Sequence, residues 1–398
     1  MAGELIFALP FHIARYFKPS LMSALNINNT ALGDAFAIYG VLALLCYLPG
    51  GIIADKYSPK KLMVFSLLLT GLGGFYYSAI PSLTGLKFLF GFWGVTTILF
   101  FWGALIKYTS DWGGFKSQGR AFGYLEAGRG LTASLFSSLA LMTYYLQTKD
   151  FFLPSFYDIQ PIQTVIFYYA FLNILLGLIL YFFLDEKQTD QPKKIITPLK
   201  GKLSLIPILL ISGVVVCAYC GFRALDNLGL YLSDTLNLDN IQTSFYVTLL
   251  GYFRILAAFA AGILADKIGS GRLICYSFTF ASVTQLLASQ LNPSVSFSVL
   301  LITGNLVIMY LAIVSLRAVY FSLIRCCGSP ESYTGTSIGI VSVIGFTPDI
   351  FFHPLMGRLL DSNPGVKGHQ DFFFVTFIIS LLGLVATMKL NSIIRNKK

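Results

Sequence analysis

Apolar runs of about twenty residues, each long enough to cross a bilayer, follow one another through this chain with only short polar breaks between them. The breaks predict an all-α chain of twelve membrane-spanning helices. Six lie in the first half, at 4–24, 30–54, 61–81, 85–108, 118–147 and 162–184. Six follow in the second, at 203–233, 240–265, 272–290, 296–324, 332–359 and 369–391. The long charged stretch at 185–202 carries Asp, Glu, Gln, Pro and five lysines, and it divides the chain into bundles at 1–184 and 203–398.

Composition agrees with a membrane as the main solvent: 56% of residues are hydrophobic and 12% charged, where a soluble domain is about a quarter charged. The net charge of +10 would suit nucleic acid, but the basic residues alternate between loops. Lys56, Lys60, Lys61, Lys107, Arg120, Lys193, Lys194, Lys267, Arg272, Arg325, Lys389 and Arg395 fall on one side, and only Lys87, Lys149 and Lys367 on the other. Positive residues mark the cytoplasmic side, so both termini and the linker are expected there, and the charge describes topology rather than a nucleic-acid partner.

The first apolar run continues into Arg15 and Lys18 without a small-residue cleavage site, so a retained first helix is expected. Six cysteines are scattered over apolar segments, and no disulfide is expected. Cys217 and Cys220 form a CxxC inside a helix with no second ligand pair, which reads as small buried side chains rather than a metal or redox site. No nucleotide loop and no metal-spaced His/Cys cluster occurs. Neither a pump driven by ATP, an enzyme, a metal nor a cofactor is expected.

The chain repeats itself. A shift of 211 residues lays Gly51-Ile-Ile-Ala-Asp55-Lys56 on Gly262-Ile-Leu-Ala-Asp266-Lys267, and brings Leu25-Asn26 onto Leu236-Asn237, Asn29 onto Asn240 and Gly40 onto Gly251. Duplicated bundles of this kind build many transporters. Position 12, the counterpart of Arg223, has eleven residues before it, whereas the seventh helix has about twenty ahead of Arg223. Two explanations stand side by side, an upstream start and a short first helix.

The two loop segments, Gly51 to Lys61 and Gly262 to Arg272, resemble the cytoplasmic loop motif of the major facilitator superfamily. In that family the loop gates alternating access, which the resemblance assigns to Gly51, Asp55, Lys56, Gly262, Asp266, Lys267 and Arg272. Glycine allows close helix approach, and an acid at a helix end meets the helix dipole. The resemblance implies two pseudo-symmetric six-helix bundles, a monomer in the lipid of a bacterial cytoplasmic (inner) membrane, and rocking about a midplane site.

Ser110-Asp111-Trp112, the segment Gly119-Arg120 to Gly123, and the segment Gly335 to Gly339 with Pro348-Asp349 look like the sugar-phosphate and organic-anion branch. In the glycerol-phosphate type of that branch, an arginine on each of the first and seventh helices grips the phosphate. Arg15 and Arg223 stand on those helices, although the repeat sets Arg15 opposite Asp226 and His12 opposite Arg223. A drug antiporter would carry a Gly-Pro-rich fifth helix in place of Gly123 to Gly130.

A charge at the centre of a membrane helix costs about 2.5–3.5 kcal/mol, so each one requires a reason. Arg15, Arg129, Arg223, Arg254 and Arg317 outnumber Glu126, Asp226 and Asp349, and an excess of guanidinium favours an anionic ligand. Structural pairing of Arg223 with Asp226 and of Arg129 with Glu126 is the alternative. Candidate substrate-binding residues are these arginines with His12, Trp93, Trp102 and Tyr310. Candidates for carrying a coupling proton are Asp226, Glu126, Asp349 and His353.

The expected function is secondary active transport of a small organic anion, a carboxylate or phosphorylated metabolite, with proton coupling or exchange. Export of an amphipathic metabolite or siderophore, and a transporter-like sensor, are the alternatives.

Overall fold

The computed structural model describes residues 1–113, 118–149, 159–185, 205–291, 298–323 and 334–396. Among these residues the secondary structure is helical and no strand occurs. Among the described residues eight helices are long and apolar enough to cross a membrane: Asn29–Ala54, Leu83–Thr109, Pro161–Phe183, Ile206–Leu236, Asn240–Ile268, Leu300–Ser322, Ile340–Ser362 and Val366–Arg395. The linker beyond Asp185 lies outside the described residues, as do the side chains of Asp55, Ser110, Asp111, Arg120 and Glu126 and of the segment 334–339.

Local chemistry explains where the helices begin and end. Asn28 caps Asn29–Lys56 by accepting from the Ala31 amide at 2.9 Å, and Asp239 does the same for Asn240–Ile268 through the Gln242 amide at 2.8 Å. The preceding helices both end on an asparagine in the left-handed region, Asn26 at φ 50° and Asn237 at φ 53°. Each capping pair repeats at the spacing that relates the two loop motifs. The repeat is therefore visible in backbone conformation as well as in residue identity.

Three helices that the apolar pattern predicts as continuous are broken. The first is divided into Ala2–Leu5, a wide π turn at Ala8–His12, Ile13–Tyr16 and Lys18–Leu25. Pro10 and Pro19 lack the amide that a regular helix needs at those positions, and Phe17 leaves helical geometry at φ −131°, ψ 29°. The seventh passes through a tight turn at Leu225–Asn227, and the eleventh stops at Gly345 and restarts at Pro348. A further π turn, Thr96–Trp102, widens the fourth. Such insertions are frequent where a helix carries function.

The chain forms two compact units. One comprises Met1–Thr189, Asp226–Tyr252 and Asp349–Asp361, and the other Asp190–Leu225, Phe253–Pro348 and Ser362–Lys398. In the first unit, Asn29–Lys56 runs against Pro348–Ser362 at very close range. A Cβ added to Gly40 would lie 2.5 Å from the Asp349 carbonyl oxygen, and one on Gly357 would lie 2.5 Å from that of Asn29. Asp361 seals the end of this seam, accepting from the Asn29 and Thr30 amides at 3.2 and 2.7 Å. In the second unit a buried apolar core runs through Ile211, Val215, Phe278, Leu316, Val341 and Leu390.

Candidate functional site

The broken first helix aims charged side chains in several directions within the first unit. Arg15, Lys18 and His12 are all buried there, together with Asp226 and Asn227 from the tight turn and His353. Arg15 Nε donates to Asp226 Oδ1 at 2.5 Å. His353 Nε2 stands 3.7 Å from the other carboxylate oxygen of Asp226, and its ring stacks on Phe36 at 4.3 Å. Phe36 stacks in turn on Phe11 at 5.5 Å. Lys18 donates to the Asn227 side-chain oxygen. Asp226 thus meets an arginine from the first helix and a histidine from the eleventh at one buried point.

A second cluster occupies the start of the first helix. Glu4 accepts from Arg129 Nε at 2.9 Å and lies 3.3 Å from His12 Nε2. Phe7 and Trp102 flank the Arg129 guanidinium at 5.9 and 5.7 Å. Arg129, for which Glu126 was the alternative partner, bonds to Glu4, and the Glu126 side chain lies outside the described residues.

In the second unit three arginines converge on two rings. The Arg223 guanidinium lies over Tyr219 at 5.0 Å, Arg317 over Phe222 at 3.8 Å and over Tyr219 at 5.9 Å, and Arg254 over Phe222 at 5.9 Å. Tyr219 and Phe222 are themselves stacked, 6.2 Å apart and tilted by 19°. Cation–π contact stabilises each guanidinium by about 0.5–2 kcal/mol, while three like charges around two rings repel one another. Arg223 and Arg254 are buried and Arg317 is half-buried, so the guanidinium groups gather on these rings largely away from bulk water.

Other candidates lie elsewhere. Trp93 is fully buried in a packed ring cluster with Tyr77 at 5.3 Å and Phe90 at 5.5 Å, and its indole N–H donates to the Thr70 carbonyl at 3.1 Å. That is a core position. Tyr310 is buried in the second unit. Asp349 is half-buried in the first turn of Pro348–Ser362, where an acid suits the helix dipole.

Lys56, Asp266, Lys267 and Arg272 are exposed at helix ends. Among the described residues a Cβ on Gly51 or Gly262 meets nothing within 4 Å, and close backbone approach is made by Gly50 and Gly103. There a Cβ would sit 2.9 Å from a backbone oxygen in each case.

The residue pattern did not single out Glu4, Lys18, Tyr219 and Phe222. Glu4 and Lys18 fall near the ends of the predicted first helix, where charges are ordinarily solvated. Tyr219 is one helical turn before Arg223, a spacing at which side chains meet.

The family model described as Major Facilitator Superfamily matches residues 1–346. The chain belongs to this superfamily. It is 27% identical over 91% of its length, and over 85% of the relative's, to the "Inner membrane protein YqcE" of Escherichia coli strain K12. It is 26% identical to "Inner membrane protein YihN" of the same strain, over 100% of this chain and 95% of the other. Among solved structures it superposes on a bacterial homologue of the human lysosomal transporter Spinster, inward-facing and occupied, with TM-score 0.74 at 15% identity, covering 98% of this chain and 96% of that one. The nucleoside transporter NupG superposes with TM-score 0.71 at 14% identity, covering 98% and 97%. These likenesses establish the fold, and with the apolar helices they make the chain a multi-pass protein of the inner membrane.

Proposed function

We propose that this membrane protein is a secondary transporter of a small organic anion, a carboxylate or phosphorylated metabolite, working by alternating access. One observation carries the reading: Arg223, Arg254 and Arg317 gather on the same two aromatic rings in the second unit. Guanidinium groups match carboxylate and phosphate oxygens two at a time, so neighbouring guanidinium groups can grip one anion together. Arg15 and Arg129 lie in the first unit, each bonded to a carboxylate. Asp226, bridged to Arg15 and close to His353, is the group we assign to the coupling proton, since a carboxylate that exchanges its arginine changes charge with conformation.

The lysine and arginine distribution supports twelve passes with both termini and the linker in the cytoplasm, and two repeats divided at 185–202. A monomer is the working unit.

Thermal stabilisation of the purified protein tests the reading against carboxylates, phosphate esters, neutral sugars and cations. An anion present at a hundred times its dissociation constant adds about 2.7 kcal/mol, and Arg223→Ala abolishes the effect. Stabilisation by neutral or cationic compounds alone would overturn it.

A further inference from the structure

Glu4, His12 and Arg129 form a cluster of ionisable groups outside both the arginine cluster and the Asp226 bridge. They are 3%, 2% and 6% exposed, so bulk water does little to stabilise their charges. One carboxylate oxygen of Glu4 takes the Arg129 Nε–H at 2.9 Å, and the other faces His12 Nε2 at 3.3 Å.

Straight helix would not produce this contact, because eight residues rise about 12 Å along the axis. The break at Ile6 and Phe7 and the π turn at Ala8–His12 fold the segment so that the imidazole reaches back to the carboxylate. Tyr16 and Tyr169 stand edge-on to the imidazole at 5.7 and 6.2 Å and fix its plane.

The surroundings limit what else can compensate charge here. The Met1 amine interacts electrostatically with Glu4 and Arg129. From Pro161–Phe183, Asn173 donates to the Leu5 carbonyl. Trp102 from the fourth helix and Phe7 present rings. From Gln118–Gln147 comes Arg129 itself, the Glu126 side chain lying outside the described residues.

Arginine keeps its charge at any ordinary pH, so among these three side chains the charge changes at Glu4 and His12. We infer that these two residues form a proton-binding site of their own, with Arg129 fixing the carboxylate. A proton taken from water binds the carboxylate–imidazole pair and raises the net charge of the three side chains from zero to +1. The two groups titrate together rather than singly, and their contact exists only in the folded-back form of the first helix.

The chain has three histidines, His12, His353 and His369, so ring-labelled protein in lipid nanodiscs gives three imidazole NMR signals that single substitutions assign. The signal lost in His12→Asn is expected to change form as the pH is lowered across the range in which the protein stays folded. Glu4→Gln and Arg129→Gln should displace its midpoint in opposite senses, each by about one pH unit or more. Should Glu4→Gln not fold, Glu4→Asp withdraws the carboxylate by one methylene and must still move the midpoint. A His12 ring that keeps one form throughout this range, or a midpoint unmoved by the variants, overturns the inference. The His353 signal reports on Asp226 and the Arg223→Ala response reports on anion binding, so each assignment fails or survives separately.

Discussion

Arg15 and Asp226 stand 211 residues apart in the sequence and 2.5 Å apart in space. The same 211-residue shift superimposes the two loop motifs, so the bridge joins equivalent positions of the repeat, one cationic and one anionic. A duplicated bundle that kept arginine at both positions would have set two like charges against each other. Asp226 converts that repulsion into a buried pair.

Removing one partner of a buried pair costs about 3–5 kcal/mol, whereas replacing both with apolar side chains of similar size is often neutral. Asp226→Leu is therefore expected to lower the unfolding temperature strongly, and Arg15→Met with Asp226→Leu to recover much of the loss. Chemical or thermal unfolding of the four proteins in the cycle measures the coupling.

The glycine seam gives a second expectation. Gly40→Ala would press a methyl group against the Asp349 carbonyl oxygen, with backbone on both sides. Overpacking of this kind costs about 1–3 kcal/mol. Gly51→Ala and Gly262→Ala meet open space and should leave stability unchanged, so unfolding of the three variants side by side separates the two classes.

Asn26 and Asn237 both hold left-handed backbone. Glycine at either position should be tolerated, and valine should cost about 1–2 kcal/mol. Equal losses at both would show that the repeat constrains conformation as well as sequence.

Trp93 and Arg223 distinguish packing from binding. Trp93→Ala is expected to destabilise the protein by about 3–5 kcal/mol, while Trp93→Phe keeps the anion response. Arg223→Ala should keep a folded protein and lose that response. Unfolding curves with and without anion check all three variants.

Much of the fold was legible because membrane helices advertise themselves through apolar length, and because the Gly51 and Gly262 loops repeat. The capped starts at Asn29 and Asn240 lie within one residue of the predicted starts at 30 and 240. The broken helices were less legible, since hydropathy continues across Phe17 and Phe346 while the backbone does not; Pro10, Pro19 and Pro348 were the signals. The arginines were visible as charges in apolar runs, but their partners were not. Arg129 has Glu126 one turn away in sequence, but nothing in the sequence points to Glu4, which the fold brings to it, and the partner of Arg15 depends on tertiary contact across more than half the chain.

The central claim, carriage of an anion through the arginine cluster, is tested most directly by uptake into proteoliposomes of purified protein. A panel of labelled carboxylates, phosphate esters, neutral sugars and cations is supplied outside, with Trp93→Phe and Arg223→Gln assayed in parallel. The expected result is uptake of an anionic member by the parent and by Trp93→Phe, and its loss in Arg223→Gln. Uptake confined to neutral or cationic compounds, or anion uptake undiminished in Arg223→Gln, would contradict it.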